Sequence, residues 1–159
     1  MTLTARDIMQ SHVITVSPES PLLDVQRLFI DEEITGAPVV DDAGRLVGVV
    51  TIRDLLRAAE ESHDSVVSET RYFRDDLEFS GPDWGNALED FQDRLGGRSV
   101  GEVMTAGGIT VAPDAPVAEV ARTLRHHRIH RVLVAEADLL RGIISSFDLV
   151  ALVEKESAG

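Results

Sequence analysis

The chain is one segment written twice, and that repetition restricts its fold more than any single motif does. ARDIMQSHVITVSPESPLLDV, from Ala5, aligns with VGEVMTAGGITVAPDAPVAEV, from Val100, so that Met9 meets Met104, Pro18 meets Pro113 and Val25 meets Val120, an offset of 95 residues. Further on, ITGAPVVDDAGRLVGVVTIRDLL from Ile34 aligns with IHRVLVAEADLLRGIISSFDLV from Ile129, and one deleted residue brings the offset to 94 at Gly48 and Gly142. Each copy is a supersecondary unit of about 55 residues. In the first, the β-rich run Ile14-Thr15-Val16, closed by Ser17-Pro18, predicts a strand. Val25, Leu28 and Phe29 then recur at helical spacing up to the acidic Asp31-Glu32-Glu33. Ala37 to Val40 and Arg45 to Val50 read as two strands joined across Asp41-Asp42-Ala43-Gly44, with an apolar helix starting near Asp54. The predicted order is β-α-β-β-α, twice, an α+β fold. A three-stranded sheet with helices on one face leaves its other face bare, and a second copy packed about a pseudo-twofold axis is the economical cover.

The copies span residues 1–59 and 99–159, and residues 60–98 belong to neither. This insert holds eleven acidic against four basic residues, over half of the chain's net charge of −13, and five of its seven aromatics: Tyr72, Phe73, Phe79, Trp84 and Phe91. Trp84, Leu88, Phe91 and Leu95 recur every three or four residues. They predict an amphipathic helix between the break at Phe79-Ser80-Gly81-Pro82-Asp83 and the stop at Gly96-Gly97. Its apolar stripe is expected to dock on the protein's own core, the alternative being a homodimer partner or another protein. Order is expected over Trp84 to Leu95 and greater mobility over the polar stretch Glu60 to Thr70.

The acidic balance opposes capture of nucleic acid or of anionic membrane surfaces. Cysteine is absent, which removes disulfides, thiolate metal sites and a thiol nucleophile and fits a reducing compartment. No apolar run reaches signal-peptide length at the start of the chain, and none approaches the ~20 residues that span a bilayer. A cytoplasmic protein is expected.

Each copy carries a strand running into a hydroxyl residue and, three residues on, an aspartate: Thr51-Ile52-Arg53-Asp54 and Ser145-Ser146-Phe147-Asp148. This pattern resembles a capping box with Asp in place of Glu or Gln. The same geometry suits a phosphate on the free amides of the helix and a ribose on the carboxylate, and the two readings are compatible. Arg122, Arg125, His126, His127, Arg128, His130 and Arg131 form a cationic cluster in this acidic chain, either complementing a helix C-terminus or receiving a small anion. His126 and His130 stand four apart, but no neighbouring Asp, Glu or Cys completes a metal set. Asp7 and Asp24 read as caps or surface. The signatures of hydrolases, phosphate-loop ATPases and dinucleotide oxidoreductases are missing, so nothing argues for an enzyme.

Asp7-Ile8-Met9 and Glu102-Val103-Met104, Ile14-Thr15-Val16 and Ile109-Thr110-Val111, Gly36-Ala37-Pro38-Val39-Val40 and the two hydroxyl-x-x-Asp segments together resemble the cystathionine β-synthase (CBS) domain pair, or Bateman module. The resemblance covers nearly all of both copies. It implies a cleft between the copies that binds an adenosyl ligand: AMP, ADP, ATP or S-adenosylmethionine. It places Thr51 and Asp54 on phosphate and ribose in one site, and Ser145 and Asp148 in the other. His130-Arg131 matches the pair that contacts phosphates in nucleotide-sensing members. The aligned first-copy positions are Thr35 and Gly36, so that site would take its cation from Arg53. Strand residues are implied as ligand-lining in the same way: Ile14, Val16, Ala37 and Pro38 in the first copy, Ile109, Val111 and Val132 in the second. The function implied is a stand-alone regulatory module that senses an adenosyl ligand, needs no resident cofactor, forms a homodimer and acts on a separate partner protein. A degenerate pair serving as a dimerising scaffold and an enzyme working on a nucleotide in the cleft are the rival readings.

Overall fold

The computed structural model describes residues 2–61 and 84–158, with backbone alone for 84–89. In chain order the elements are α1 (Ala5–Ile8), α2 (Leu22–Asp31), β1 (Gly36–Val40), β2 (Leu46–Thr51), α3 (Ile52–Glu61), α4 (Trp84–Leu95), α5 (Val100–Val103), β3 (Thr105–Ala106), β4 (Thr110–Val111), α6 (Val117–His127), β5 (Arg131–Glu136), β6 (Leu139–Ser145) and α7 (Ser146–Ala158). The strands form two three-stranded sheets, in the orders β1-β2-β3 and β4-β5-β6.

The predicted β-α-β-β-α order is complete in the second copy as β4-α6-β5-β6-α7. In the first copy the leading strand shrinks to a single bridging residue, Val16. The reason lies in the partner strand. In the second copy the Leu133 amide donates to the Ile109 carbonyl at 3.4 Å, part of the parallel pairing of β4 with β5. The residue aligned with Leu133 is Pro38, which has no amide proton, so the corresponding bond to Ile14 cannot form.

The described residues fall into two compact units that do not follow the copies. One contains 2–15, 38–49 and 105–158, and the other 16–37, 50–61 and 84–104. The exchange is carried by α1 and α5, each a single turn too short to satisfy its own amides. Ala5 and Arg6 donate to the carbonyls of Ala115 and Pro113 at 2.8 and 2.9 Å, at the strand-to-helix joint of the second copy. In the mirror arrangement, Val100 and Gly101 donate to Ser20 and Pro18 at 2.9 and 2.8 Å, at the same joint of the first. Both turns start with a cap: Asp7 Oδ2 accepts from the Thr4 amide and hydroxyl at 2.8 and 3.1 Å, and Glu102 Oε2 accepts from the Ser99 amide at 2.7 Å. Asp7 is therefore a cap, as its position in the sequence suggests.

In the first unit the core gathers Ala5, Val111, Ala115, Val120, Leu124, Val132, Val134 and Ile144, with Met9 and Leu149 packed at its margin. Alternation along the sheet explains the selection. Val132 opposes Ile144 on the core face, whereas Arg131 opposes Ser145 and Leu133 opposes Ile143 on the other. In the second unit α2, α3 and α4 pack on one another, burying Leu22, Val25, Phe29, Leu55, Ala58, Ala59 and Leu95. The insert helix thus packs on the chain's own helices and buries Leu95 of its stripe, with Phe91 half-buried, while the side chains of Trp84 and Leu88 lie outside what is described. It begins at Trp84, and it stops where Gly97 takes a φ of 78°, a conformation that suits glycine. Arg98 ties it down by donating to the Ala58 carbonyl at 3.2 Å. The expectations for Ser62 to Thr70, Tyr72, Phe73 and Phe79 lie outside the described residues. Among those described, no helix is long and apolar enough to cross a membrane.

One close approach holds the chain segment after α1 in place. Gln10 and Ile143 exchange two backbone hydrogen bonds, of 2.9 and 3.0 Å, which brings Met9 over Gly142. A methyl group at Gly142 would lie 2.7 Å from Met9 Sδ and 2.8 Å from the Gln10 carbonyl oxygen. Gly142→Ala is therefore expected to cost about 1–3 kcal/mol of stability, seen as a lower urea midpoint. An unchanged midpoint would show that the Met9-Gln10 segment is not held against β6.

Candidate functional site

Both hydroxyl-x-x-Asp segments sit where a strand passes directly into a helix, so that the aspartate in the first turn reaches back to the amide of the residue before the helix. At the second-copy site the Ser145 amide donates to Asp148 Oδ2 at 2.8 Å, and the Asp148 amide donates to Ser145 Oγ at 3.2 Å. Because the Ser145 hydroxyl accepts here, its own proton is left for an outside acceptor. The Ser146 amide donates to the His130 carbonyl at 2.8 Å, which anchors the residue before β5 at the start of α7. Arg131 opposes Ser145 across the β5-β6 register, and directly opposed residues project from the same face of a sheet. His130, Arg131, Ser145 and Asp148 are therefore brought together, with the first two exposed and the other two half-buried. Among the described residues none of Arg122, Arg125, Arg128 and Arg131 forms an ion pair. Arg125 stands in the last turn of α6, where a cation complements the helix C-terminus.

The first-copy site has the same backbone plan and different electrostatics. The Ile52 amide donates to the Thr35 carbonyl at 2.8 Å, the counterpart of the Ser146 bond to His130. Asp54 Oδ2 accepts from the Thr51 amide at 2.8 Å and from the Thr51 hydroxyl at 3.2 Å, so this hydroxyl is spent on the carboxylate. Asp54 is only 5% exposed. The guanidinium that approaches it belongs to Arg57, 3.9 Å from Oδ1, while Arg53 points to solvent as an exposed residue. Spacing along the helix explains the difference: residues three apart share a face, and adjacent residues do not.

The strand residues named from the sequence divide by face. Val111 and Val132 are core residues of the first unit, so their side chains are spent on packing. Val16, Ala37 and Pro38 are buried, Ile14 is half-buried, and Ile109 is 37% exposed. Gln10 is a neighbour that the sequence did not point to. Its Nε2 donates to Asp148 Oδ1 at 3.5 Å, across 138 residues of chain.

The family model described as CBS domain matches residues 5–61 and 100–155, the two copies without the insert. The chain belongs to the CBS domain family. Among curated proteins it is similar to the CBS domain-containing protein CBSX2, chloroplastic, of Arabidopsis thaliana, with 30% identity over 92% of this chain and 62% of the relative. It likewise spans only part of two archaeal relatives, 37% of an uncharacterised protein of Methanopyrus kandleri and 44% of one from Methanocaldococcus jannaschii. The crystal structure of CBSX2 superposes with a TM-score of 0.75 at 25% identity, covering 100% of this chain and 99% of that one. CBSX2 has also been crystallised in complex with AMP. That structure matches with a TM-score of 0.69 at 25% identity, over 97% and 98% of the two chains.

The two aspartates should differ as structural elements. Asp54→Ala strips a buried carboxylate from two donors and is expected to cost about 1–2 kcal/mol, against about 0.5–1 kcal/mol for the half-exposed Asp148→Ala. Urea denaturation of the two variants measures the difference, and equal losses would mean that burial at Asp54 carries no extra weight.

Proposed function

We propose that this CBS pair is a regulatory module that binds an adenosyl ligand at the second-copy site and passes the binding state to a separate partner protein, without catalysis. One observation carries the reading: the β5-β6 register sets exposed Arg131 beside a hydroxyl with a free proton and a carboxylate, at the N-terminus of a thirteen-residue helix. Phosphate suits the cation and the hydroxyl at the positive end of the helix, and ribose hydroxyls suit the carboxylate. The AMP complex of CBSX2 supports an adenine nucleotide as the ligand. S-adenosylmethionine offers the same ribose and adenine, but brings Arg131 one carboxylate beside a sulfonium and an ammonium in place of a phosphate dianion, a weaker match to the cation. The second site is preferred over the first, where Asp54 is buried and Thr51 is occupied. A cytoplasmic location goes with this reading, and no resident cofactor is needed.

A specific observation also supports a homodimer. Phe147, Val150 and Val153 run along one side of α7 and are 80%, 60% and 61% exposed, a costly stripe to leave in water. A second copy of the chain, met through a twofold axis, would cover it.

Isothermal titration calorimetry of the full chain with AMP, ATP and S-adenosylmethionine tests the ligand. Binding is expected at one dominant site, and Asp148→Ala should weaken it by about 1–3 kcal/mol, the scale of hydrogen bonds to a charged group. Unchanged affinity in that variant would remove Asp148 from the site. Light scattering should give about twice the chain mass of 17.3 kDa, falling to the monomer mass in the double variant Val150→Asp, Val153→Asp. A wild-type mass of one chain at micromolar concentration would sink the dimer.

A further inference from the structure

We propose that Gln10 reads the sugar of the bound ligand at the second-copy site, sharing the two ribose hydroxyls with Asp148. The proposal rests on the adenosyl reading above and adds a specificity-determining residue to it. A ribose presents two adjacent hydroxyls, each a donor seeking an acceptor. Asp148 has two oxygens, but Oδ2 already takes the Ser145 amide at 2.8 Å as part of the helix cap. That leaves Oδ1 as the oxygen open to a sugar, and the Gln10 amide stands beside it, with Nε2 donating at 3.5 Å. An amide that donates through Nε2 turns its Oε1 into an adjacent acceptor, so carboxylate and amide together offer one acceptor to each hydroxyl.

The backbone explains why this side chain is available there. Gln10 is fixed by its two hydrogen bonds to Ile143, and directly opposed residues share a sheet face. Ile143 and Ser145, two apart on β6, share that face as well, and so does Arg131 opposite Ser145. Gln10 is thus on the face that carries the cation and the hydroxyl, not on the core face of Val132 and Ile144. It is exposed, so neither packing nor the core requires a glutamine here. The pairing is particular to this site: the position aligned with Gln10 is Thr105, opposite Val49, and Asp54 Oδ1 has the Arg57 guanidinium near it instead.

The test compares AMP, 2′-deoxy-AMP and 3′-deoxy-AMP by calorimetry on the wild-type full chain and on Gln10→Ala. Because the bridge to Ile143 is made by backbone atoms, the variant should keep the wild-type melting temperature. Wild type is expected to bind each deoxynucleotide roughly tenfold more weakly than AMP, in line with the loss of one hydrogen bond at a charge-assisted site. In Gln10→Ala the penalty for one of the two analogues should fall to about twofold while the other, for the hydroxyl held by Asp148, persists. Equal weakening of all three ligands, or unchanged ratios, would overturn the role of Gln10 while leaving the adenosyl reading intact. Failure of wild type to bind AMP at all would remove that reading and this proposal with it.

Discussion

The structure depends on two orphaned helical turns finding carbonyl partners far along the chain. A four-residue helix has no residue four places back to receive its first amides, so α1 and α5 are stable only when those amides are satisfied from outside. Each finds its acceptors in the Pro-containing joint between strand and helix of the opposite copy: Ala115 and Pro113 for the N-terminal turn, Ser20 and Pro18 for the internal one. Everything downstream of α1 then follows. Ala5 enters, and Met9 borders, a core whose remaining buried members come from the second copy, Gln10 bridges to Ile143, and Gly142 must remain bare to let the segment pass.

The hydroxyl-x-x-Asp segments show how one local geometry serves stability and chemistry together. The aspartate must cap the helix, which commits Oδ2 to the preceding amide in both copies. What remains for a ligand is decided by small differences around that common frame. Thr51 spends its proton on Asp54 and the carboxylate is buried, whereas Ser145 accepts from Asp148 and keeps its proton free. Two segments that look equivalent in the alignment thus differ in accessibility and in donor inventory, and Arg131 on β5 has only Gly36 as its first-copy counterpart.

The insert helix changes what one copy can expose. On α3, which packs against α4, Ala58 and Ala59 are buried, while on α7 Val153, the residue aligned with Ala59, stands largely in water. Among the described residues, a duplicated unit therefore has its closing helix covered by the insert helix in one instance, and in the other packed on α6 and β6 with an exposed apolar stripe. The sequence foretold a helix around Trp84 to Leu95, because its stripe recurs at helical spacing and ends at a glycine pair.

Local and periodic properties were legible from the residues alone. The duplication, the strand and helix order, the caps at Asp7 and at the two hydroxyl-x-x-Asp segments, and the bounds of α4 all arise from interactions within a few residues, so they leave a pattern in the string. Only the tertiary structure decided which turn docks on which copy, that Pro38 would reduce the first strand to a bridge at Val16, that Arg57 rather than Arg53 would approach Asp54, and that Gln10 would reach Asp148. Three of these depend on groups brought together across long stretches of chain, and the fourth on which side of a helix faces the aspartate. Long-range partners are chosen by competing closures of the whole backbone, and a polar residue such as Gln10 looks the same in sequence whether it faces water or a carboxylate 138 residues away.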